Sequence, residues 1–482
     1  MNSRVNKSVQ SIILKISNFF DTPYFALCLA AIELFCYVLA LDLVIIVFIS
    51  ICLTFAFLFK KQLNCVLVLF LFMATMISVK HSPANVDPNS GRNYFFNTYV
   101  YVTCIIATAI PGTIVVARLI ENFIRKRIAF DSVFFSTICL GAAFLLNGLF
   151  SENYSLQDFM FGGFMVFFYV ILFFAMLPWL KINKTTIRQI ALQVLSFSII
   201  PVVEIIYFYI LFFSKGNTLD PYLDVFVGWG NGNTLGMLFI VIFCFVLYLI
   251  QAENNKIIKS LYFVFSFLLI VCIIATFSRA AYLFIIVLFF TYFLGLIIIF
   301  KSFKQKKNIV YFGCLAGFAL VAIVAGLLSG FFDSVGINFD SGGRFRLWKS
   351  AFETLKIYPV FGGGFYFLGG DPTIKLQSIM PYCCHNTIIE MFGACGLLGG
   401  ISYLIYRFFG LKKICKNITT ERFYVFVACL MMILMSLLDI HIMDLLGSAI
   451  YVTLLTMSLS KTDDDFDKNK FIDCFDWRET NV

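Results

Sequence analysis

The sequence predicts an all-α protein, a polytopic transmembrane bundle of about 12–14 spans with one long extracytoplasmic loop, and three observations carry that expectation. Of the 482 residues, 61% are hydrophobic and only 13% charged, too few polar groups to cover a water-soluble globule. Apolar runs of about 17–25 residues, the length a bilayer demands, recur along nearly the whole chain. Basic residues gather between alternate runs and not on a folded domain, so the net charge of +9 reflects topology and gives no reason to expect nucleic acid as a partner.

Apolar runs bounded by charge place fourteen spans near 24–41, 43–59, 63–79, 98–117, 129–149, 159–180, 189–213, 235–251, 260–277, 281–300, 309–330, 386–406, 422–438 and 442–460. The first is long, lacks a small-residue cleavage site and is followed at once by another, so it is expected to stay in the membrane. Alternate loops carry RLIENFIRKR, KINKTTIR, KSFKQKKN and RFFGLKKICKNITTER, which puts those loops and both termini in the cytoplasm. Of the 36 Lys and Arg, only Lys80, Arg92, Lys215, Arg279, Arg344, Arg346, Lys349, Lys356 and Lys375 then fall outside. Five of them share the longest non-membrane segment, 331–385, which needs a reason beyond topology.

In that segment, GRFRLWKSAFETLK has apolar residues at Phe345, Leu347, Trp348, Ala351, Phe352 and Leu355, the spacing of a short helix lying on a membrane surface. Arg344 and Trp348, four apart, share a face. Ser341-Gly342-Gly343 precedes the helix, where free N–H groups suit a phosphate, and Tyr358-Pro359 ends it. Gly362-Gly363-Gly364 permits a tight backbone path or close approach to a ligand. Taken alone, the segment also fits an interfacial helix whose arginines meet lipid headgroups.

Other polar residues stand in apolar surroundings. Arg279, in ATFSRAAYLF, lies at a tight turn between two spans, where a guanidinium needs an anion, a partner or water. His385, one of three histidines, sits with Asn386 at the outer mouth of a span, and histidine is the side chain suited to take a proton near neutral pH. The stretch GWGNGN, with Gly228, Gly230 and Gly232 around Asn231 and Asn233, lacks the GK[ST] of a nucleotide loop and suits a re-entrant segment lining a polar cavity. Gly393, Gly396, Gly399 and Gly400 suit close helix packing. Glu33 and Glu204 are candidates for helix-to-helix hydrogen bonds, and Asp439, His441 and Asp444 read as a polar hairpin tip. The fifteen cysteines are scattered, mostly in apolar runs, with no zinc spacing and one adjacent pair, Cys383-Cys384.

The order SRAA, then GRFRLW with YPVFGGG, then HN opening a glycine-studded span resembles the O-antigen ligase and polymerase family of bacterial envelope enzymes. Arg279, Arg344 with Trp348, Pro359-Val360-Phe361-Gly362, Gly364 and His385-Asn386 match its motifs over roughly residues 225–400, and Asn233 fits an asparagine of the preceding outer loop. Ala394 departs from the pattern, standing where many relatives carry an acidic residue, and fourteen spans exceed the family's usual dozen or so.

The resemblance implies a GT-C-like glycosyltransferase of the cytoplasmic membrane that inverts the anomeric centre and needs no metal, nucleotide sugar or other cofactor. Its donor would be an oligosaccharide on undecaprenyl pyrophosphate at the outer leaflet, its acceptor a glycan or lipid hydroxyl, with a flippase and a chain-length regulator as companions. The catalytic set expected is His385 as base with Arg279 and Arg344 on the pyrophosphate, and the binding set is Arg346, Trp348, Asn233, Asn386, Gly362 and Gly364. Repeat-unit polymerisation is favoured over ligation to lipid A core by the Lys-, Asn-, Ile- and Phe-rich composition, common among bacteria without an outer membrane. A lipid-linked oligosaccharide flippase is the reading from another class, but it would place ionisable groups near the midplane in repeated halves. The expected organisation is N-terminal helices 1–224, a catalytic region 225–408 including the loop 331–385, a hairpin 409–460 and a cytoplasmic tail 461–482.

Overall fold

The computed structural model describes residues 2–39, 41–60, 62–78, 98–150, 156–214, 232–298, 309–328, 344–365, 384–416, 418–439, 442 and 445–460. Lys80, Arg92, Lys215, Gly228, Gly230, Asn231, the Ser341-Gly342-Gly343 turn, Lys375, Cys383, His441, Asp444 and the tail 461–482 lie outside the described residues.

The described residues form α1 (Asn2–Phe19), α2 (Pro23–Val38), α3 (Asp42–Phe59), α4 (Val66–Ser78), α5 (Thr98–Ile124), α6 (Ser132–Phe150), α7 (Leu156–Val166), α8 (Phe173–Met176) and α9 (Lys184–Phe197). There follow α10 (Ile199–Ser214), α11 (Gly232–Ala252), α12 (Lys256–Ala275), α13 (Arg279–Ile298), α14 (Ile309–Leu328), α15 (Arg344–Ile357), α16 (Thr387–Lys416), α17 (Thr420–Met435) and α18 (Leu445–Leu459). No β-strand occurs among them, so the chain is an all-α polytopic bundle.

Each of the fourteen apolar segments is helical. Among the described residues, seven helices or continuous helix pairs are long and apolar enough by themselves to cross a membrane, and α1 with α2, bent by 77°, makes an eighth if taken as one span. Helices α3, α4, α6, α13 and α18 are apolar but shorter. Helix α1 falls outside the predicted segments, because Arg4, Lys7 and Lys15 interrupt its apolar residues. Helix α7 passes through a π-helical stretch, Phe167–Leu172, into α8, so the two count as one span, Asp158–Trp179.

Two ends of the bundle carry different chemistry. Helix α11 separates them: Asn233 is at its start and Glu253 just past its end, about 30 Å away at 1.5 Å per residue. Around the Glu253 end lie the ion pairs Arg188–Glu253 at 3.1 Å, Lys60–Asp21 at 2.7 Å and Lys413–Asp131 at 2.5 Å. Trp179 there lies under two guanidiniums, Arg118 at 4.4 Å and Arg127 at 4.5 Å from its ring, and donates its Nε1–H to Asn122 Oδ1 at 3.0 Å. Asn122 in turn donates to the carbonyls of Phe174 and Ala175 at the end of α8, where Pro178 has no N–H to offer the Phe174 carbonyl.

Helices α6 and α16 run antiparallel and are pinned at both ends. At one end Lys413 meets Asp131, and at the other the Asn147 amide donates to the carbonyls of Phe361 and Ala394. Asp131 also caps α6, accepting the N–H groups of Val133 and Phe134 at 3.0 Å. Burial pushes the Asp131 carboxyl up, but the hydrogen bond from Lys413, the two N–H groups and the Lys413 charge outweigh it and hold the group below its ordinary value. A carboxylate with a lowered folded pKa stabilises the fold above its unfolded pKa, and that contribution fades as pH falls through the folded value. Asp131→Asn, which keeps the cap and loses the charge, should flatten the loss of thermal stability between about pH 5 and 3. A melting series of both proteins across that range checks it, and parallel curves would remove Asp131 from the account.

Candidate functional site

The site is built where α16 begins. Asn386 caps it, its Oδ1 accepting from the N–H groups of Ile388 at 3.0 Å and Ile389 at 3.1 Å. Its amide donates to the Leu437 carbonyl at 2.9 Å, and the Thr387 N–H donates to the Ser436 carbonyl at 2.8 Å. The turn that ends α17 is thereby fastened to the start of α16, and two residues further on it presents Asp439.

Asp439 Oδ1 lies 3.1 Å from His385 Nδ1. Its Oδ2 accepts from Asn233 Nδ2 at 3.2 Å, and Asn233 Oδ1 accepts from the Ser278 hydroxyl at 2.7 Å. Ser278 caps α13, accepting from the Ala281 N–H at 3.1 Å, and the next residue is Arg279. One chain of hydrogen bonds thus joins the starts of α11, α13 and α16 to the end of α17. Asp439 is 4% exposed, whereas the His385 side chain is 35% exposed. An ionised carboxylate only accepts, so this contact selects the neutral tautomer with the proton on Nδ1 and leaves Nε2 as an acceptor.

The turn Thr276–Ser278 is held tightly. A Cβ on Gly232 would collide with the Thr276 carbonyl, and one on Gly236 would lie 2.7 Å from Ala281 Cβ. Gly232 and Gly236 thus admit α11 against the turn that carries Arg279. Phe277 and His385 both have φ +52°, an uncommon left-handed backbone for side-chain-bearing residues, and they bracket the hydrogen-bonded chain.

Helix α15 closes another side. Its predicted end holds, since helical structure stops at Ile357 ahead of Tyr358-Pro359. Trp348 donates its indole N–H to the Cys384 carbonyl at 2.9 Å, next to His385, and its ring meets Phe345 edge-on at 5.3 Å. Ala351 is buried against Gly393 of α16, where a Cβ would be 3.0 Å away. Arg344 is half-buried one turn before Trp348, and Arg346 is exposed. The Cys384 N–H donates to Glu390 Oε2 at 2.6 Å.

The glycine run after α15 meets a break in α16. Gly396 has φ +65° and ψ −163°, so the helix is interrupted there. Along the interruption the N–H groups of Gly363 and Gly364 donate to the carbonyls of Gly393 and Ala394 at 3.0 and 2.9 Å, and those of Leu397 and Leu398 donate to Pro359 and Val360 at 2.8 and 3.2 Å. Gly362 and Gly364, with φ +75° and +96°, are buried in this pairing, and the Phe365 N–H donates to buried Asp158 at 2.6 Å. Close packing alone therefore does not account for Gly396, whose conformation is nearly restricted to glycine.

His385, Asn386, Asn233 and the Arg279-bearing turn are brought into one network, Trp348 is attached beside His385, and Arg344 lies one helical turn away. Arg346 makes no described contact with that network, and Gly362 and Gly364 serve the α16 break. Asp439, Ser278 and Glu390 are the residues whose part the sequence reading missed. Asp439 was visible as an acid at a hairpin tip, but its partners are 206 and 54 residues away in the chain. Among the described residues no three His, Cys, Asp or Glu stand together as a metal-ligand group.

The fold and the site together define a multi-pass membrane protein with an accessible histidine backed by a buried carboxylate, near arginines at the starts of two helices. Residues 263–404 match the family model for O-Antigen ligase, which supports assignment to the O-antigen ligase and polymerase family. A comparison with curated proteins gave no match. The matched stretch runs from α12 into α16 and holds every motif from SRAA to HN. It supports a membrane glycosyltransferase-like role in O-antigen assembly, with a lipid-linked glycan as the donor class and the inner membrane as the setting.

Gly396→Ala should disrupt the α16 break, because its new Cβ would run into the Val360 carbonyl and lie 2.6 Å from the Gly362 nitrogen. The expected cost is about 2–4 kcal/mol, read as a thermal midpoint several degrees lower. Gly313→Ala, with open space around it, should leave the midpoint unchanged or slightly higher. Equal midpoints for the two variants would contradict the break.

Proposed function

We propose that the protein transfers an oligosaccharide from undecaprenyl pyrophosphate to an acceptor hydroxyl at the outer face of the cytoplasmic membrane, joining repeat units of a surface polysaccharide. The observation that carries this reading is the His385–Asp439 pair, attached through Asn233 and Ser278 to the turn that presents Arg279. His385 Nε2 accepts the proton as the acceptor oxygen attacks the anomeric carbon. The bond from that carbon to the pyrophosphate oxygen breaks, and its electron pair leaves with the lipid pyrophosphate. Arg279 and Arg344, with Arg346 assisting, meet the charge that grows on the leaving oxygen, an interaction stronger in the transition state than in the ground state. In-line displacement inverts the anomeric centre, and the guanidiniums take the charge-stabilising part that a metal plays elsewhere.

Asp439 fixes the tautomer and orientation of His385, and Asn233 fixes Asp439. Trp348 and Asn386 hold the backbone around the base. The distribution of Lys and Arg supports placing this end of the bundle outside and both termini inside. On this reading residues 225–408 are the catalytic region, 331–385 is an outer loop over it, and a flippase and a chain-length regulator are its functional neighbours. The family model's description favours a second acceptor, since a ligase would pass the glycan to lipid A core or another carrier by the same chemistry.

Turnover of a lipid-linked donor by full-length protein at equal levels tests the reading. His385→Ala, Arg279→Ala and Arg344→Ala should each lose about 10²-fold or more, and Asp439→Asn a comparable factor. Unchanged turnover in the first three would refute it. A ladder of lengthening glycan marks polymerisation, and transfer of intact glycan to a second carrier marks ligation.

A further inference from the structure

Glu390 is a buried acid that the chemistry above does not use. It lies one turn inside α16, 2% exposed, and its carboxylate reaches back past Asn386 and His385 to accept the Cys384 N–H at 2.6 Å. The carbonyl of the same residue accepts the Trp348 indole N–H at 2.9 Å. Both backbone polar groups of Cys384 are therefore engaged by side chains, one from α16 and one from α15. The next residue is His385, whose left-handed φ of +52° is an arrangement that L side chains seldom adopt without outside support. On the far side, Asn386 caps α16 and grips the Leu437 carbonyl. An acid in such a place needs a hydrogen bond of its own, and here it obtains one from the backbone group that sets the path into His385.

We infer that Glu390 is a positioning residue for the transfer reaction: with Trp348 it clamps Cys384 so that His385 is held against Asp439. The inference rests on the reading of His385 as the base. Glu390 touches no reacting atom; it acts through the backbone, as an acceptor. Two consequences separate this from a merely structural acid. An amide oxygen should replace the carboxylate, because acceptance and not charge is what the clamp needs. The effect of removing Glu390 should also vanish when Asp439 is already disabled, because both act on the same imidazole.

The test uses full-length purified protein with a lipid-linked oligosaccharide donor, and compares Glu390→Gln and the similarly shaped Glu390→Met, each with and without Asp439→Asn. Glu390→Met should lower kcat by about 30-fold or more with KM for the donor within about twofold, and Glu390→Gln should stay within about fivefold of the parent. In the Asp439→Asn background, Glu390→Met should cost less than about threefold. A second readout needs no turnover: the carbethoxylation rate of His385, followed by mass spectrometry, should differ from the parent by about threefold or more in Glu390→Met and return in Glu390→Gln. If Glu390→Met fails to fold, Trp348→Phe releases the same residue, Cys384, at its carbonyl and should change the His385 rate alike.

Parental kcat and His385 reactivity in Glu390→Met, equal losses in the Gln and Met variants, or additive losses with Asp439→Asn would each overturn the inference. Parental turnover in His385→Ala would instead defeat the catalytic reading, while the carbethoxylation rates would still decide whether Glu390 holds His385 in place.

Discussion

A carboxylate buried in an apolar bundle must find donors for both oxygens, and Asp439 finds them on two different helices. His385 at the start of α16 supplies one and Asn233 at the start of α11 the other, while Ser278 continues the chain to α13. Four helices are thus brought to a common point by the requirement to satisfy one acid. On the proposed function the same requirement prepares the chemistry, because a histidine whose Nδ1–H is claimed by a carboxylate turns its other ring nitrogen elsewhere. The backbone around this interaction is fastened further by Asn386, Trp348 and Glu390.

The opposite end of the bundle is organised by other means. Ion pairs such as Arg188–Glu253 and Lys413–Asp131 join helix ends that are partly exposed, where salt and water weaken them. They tie the start of α9 to the end of α11, and the start of α6 to the end of α16. At the hydrogen-bonded end, the break at Gly396 lets α16 meet the turn after α15 without losing the pairing of its backbone groups.

Much of this was legible in the sequence, for physical reasons. Apolar runs of bilayer length give helices because a lipid-exposed backbone must bond within its own segment, so all fourteen segments are helical. Arg279, Asn233 and His385 stood out because polar residues are costly beside apolar runs, and the order of their motifs pointed to one family. The role of Asp439 was hidden by locality: its neighbours His441 and Asp444 suggested a self-contained tip, and nothing local reveals a partner 206 residues away. Glu390 was obscured by lying in a helical run, where periodicity does not show that a side chain reaches back to Cys384. Gly362 and Gly364 were read correctly as positions needing unusual backbone, yet sequence alone does not separate approach to a ligand from approach to another backbone; the contacts at Gly393 and Ala394 are of the second kind. Helix α1 is not marked by an apolar run because three cations dilute its pattern.

On the proposed function, the imidazole held by Asp439 and the guanidiniums of Arg279 and Arg344 serve a single diphosphate-linked glycan. The most direct measurement is an experimental structure of the full-length protein with a non-transferable analogue of a lipid pyrophosphate-linked sugar. The pyrophosphate should lie against Arg279 and Arg344, with His385 Nε2 facing the anomeric carbon at a distance that admits one hydroxyl between them. A pyrophosphate seated at the Lys413 end, or one held by neither arginine with His385 turned away from the sugar, would contradict it.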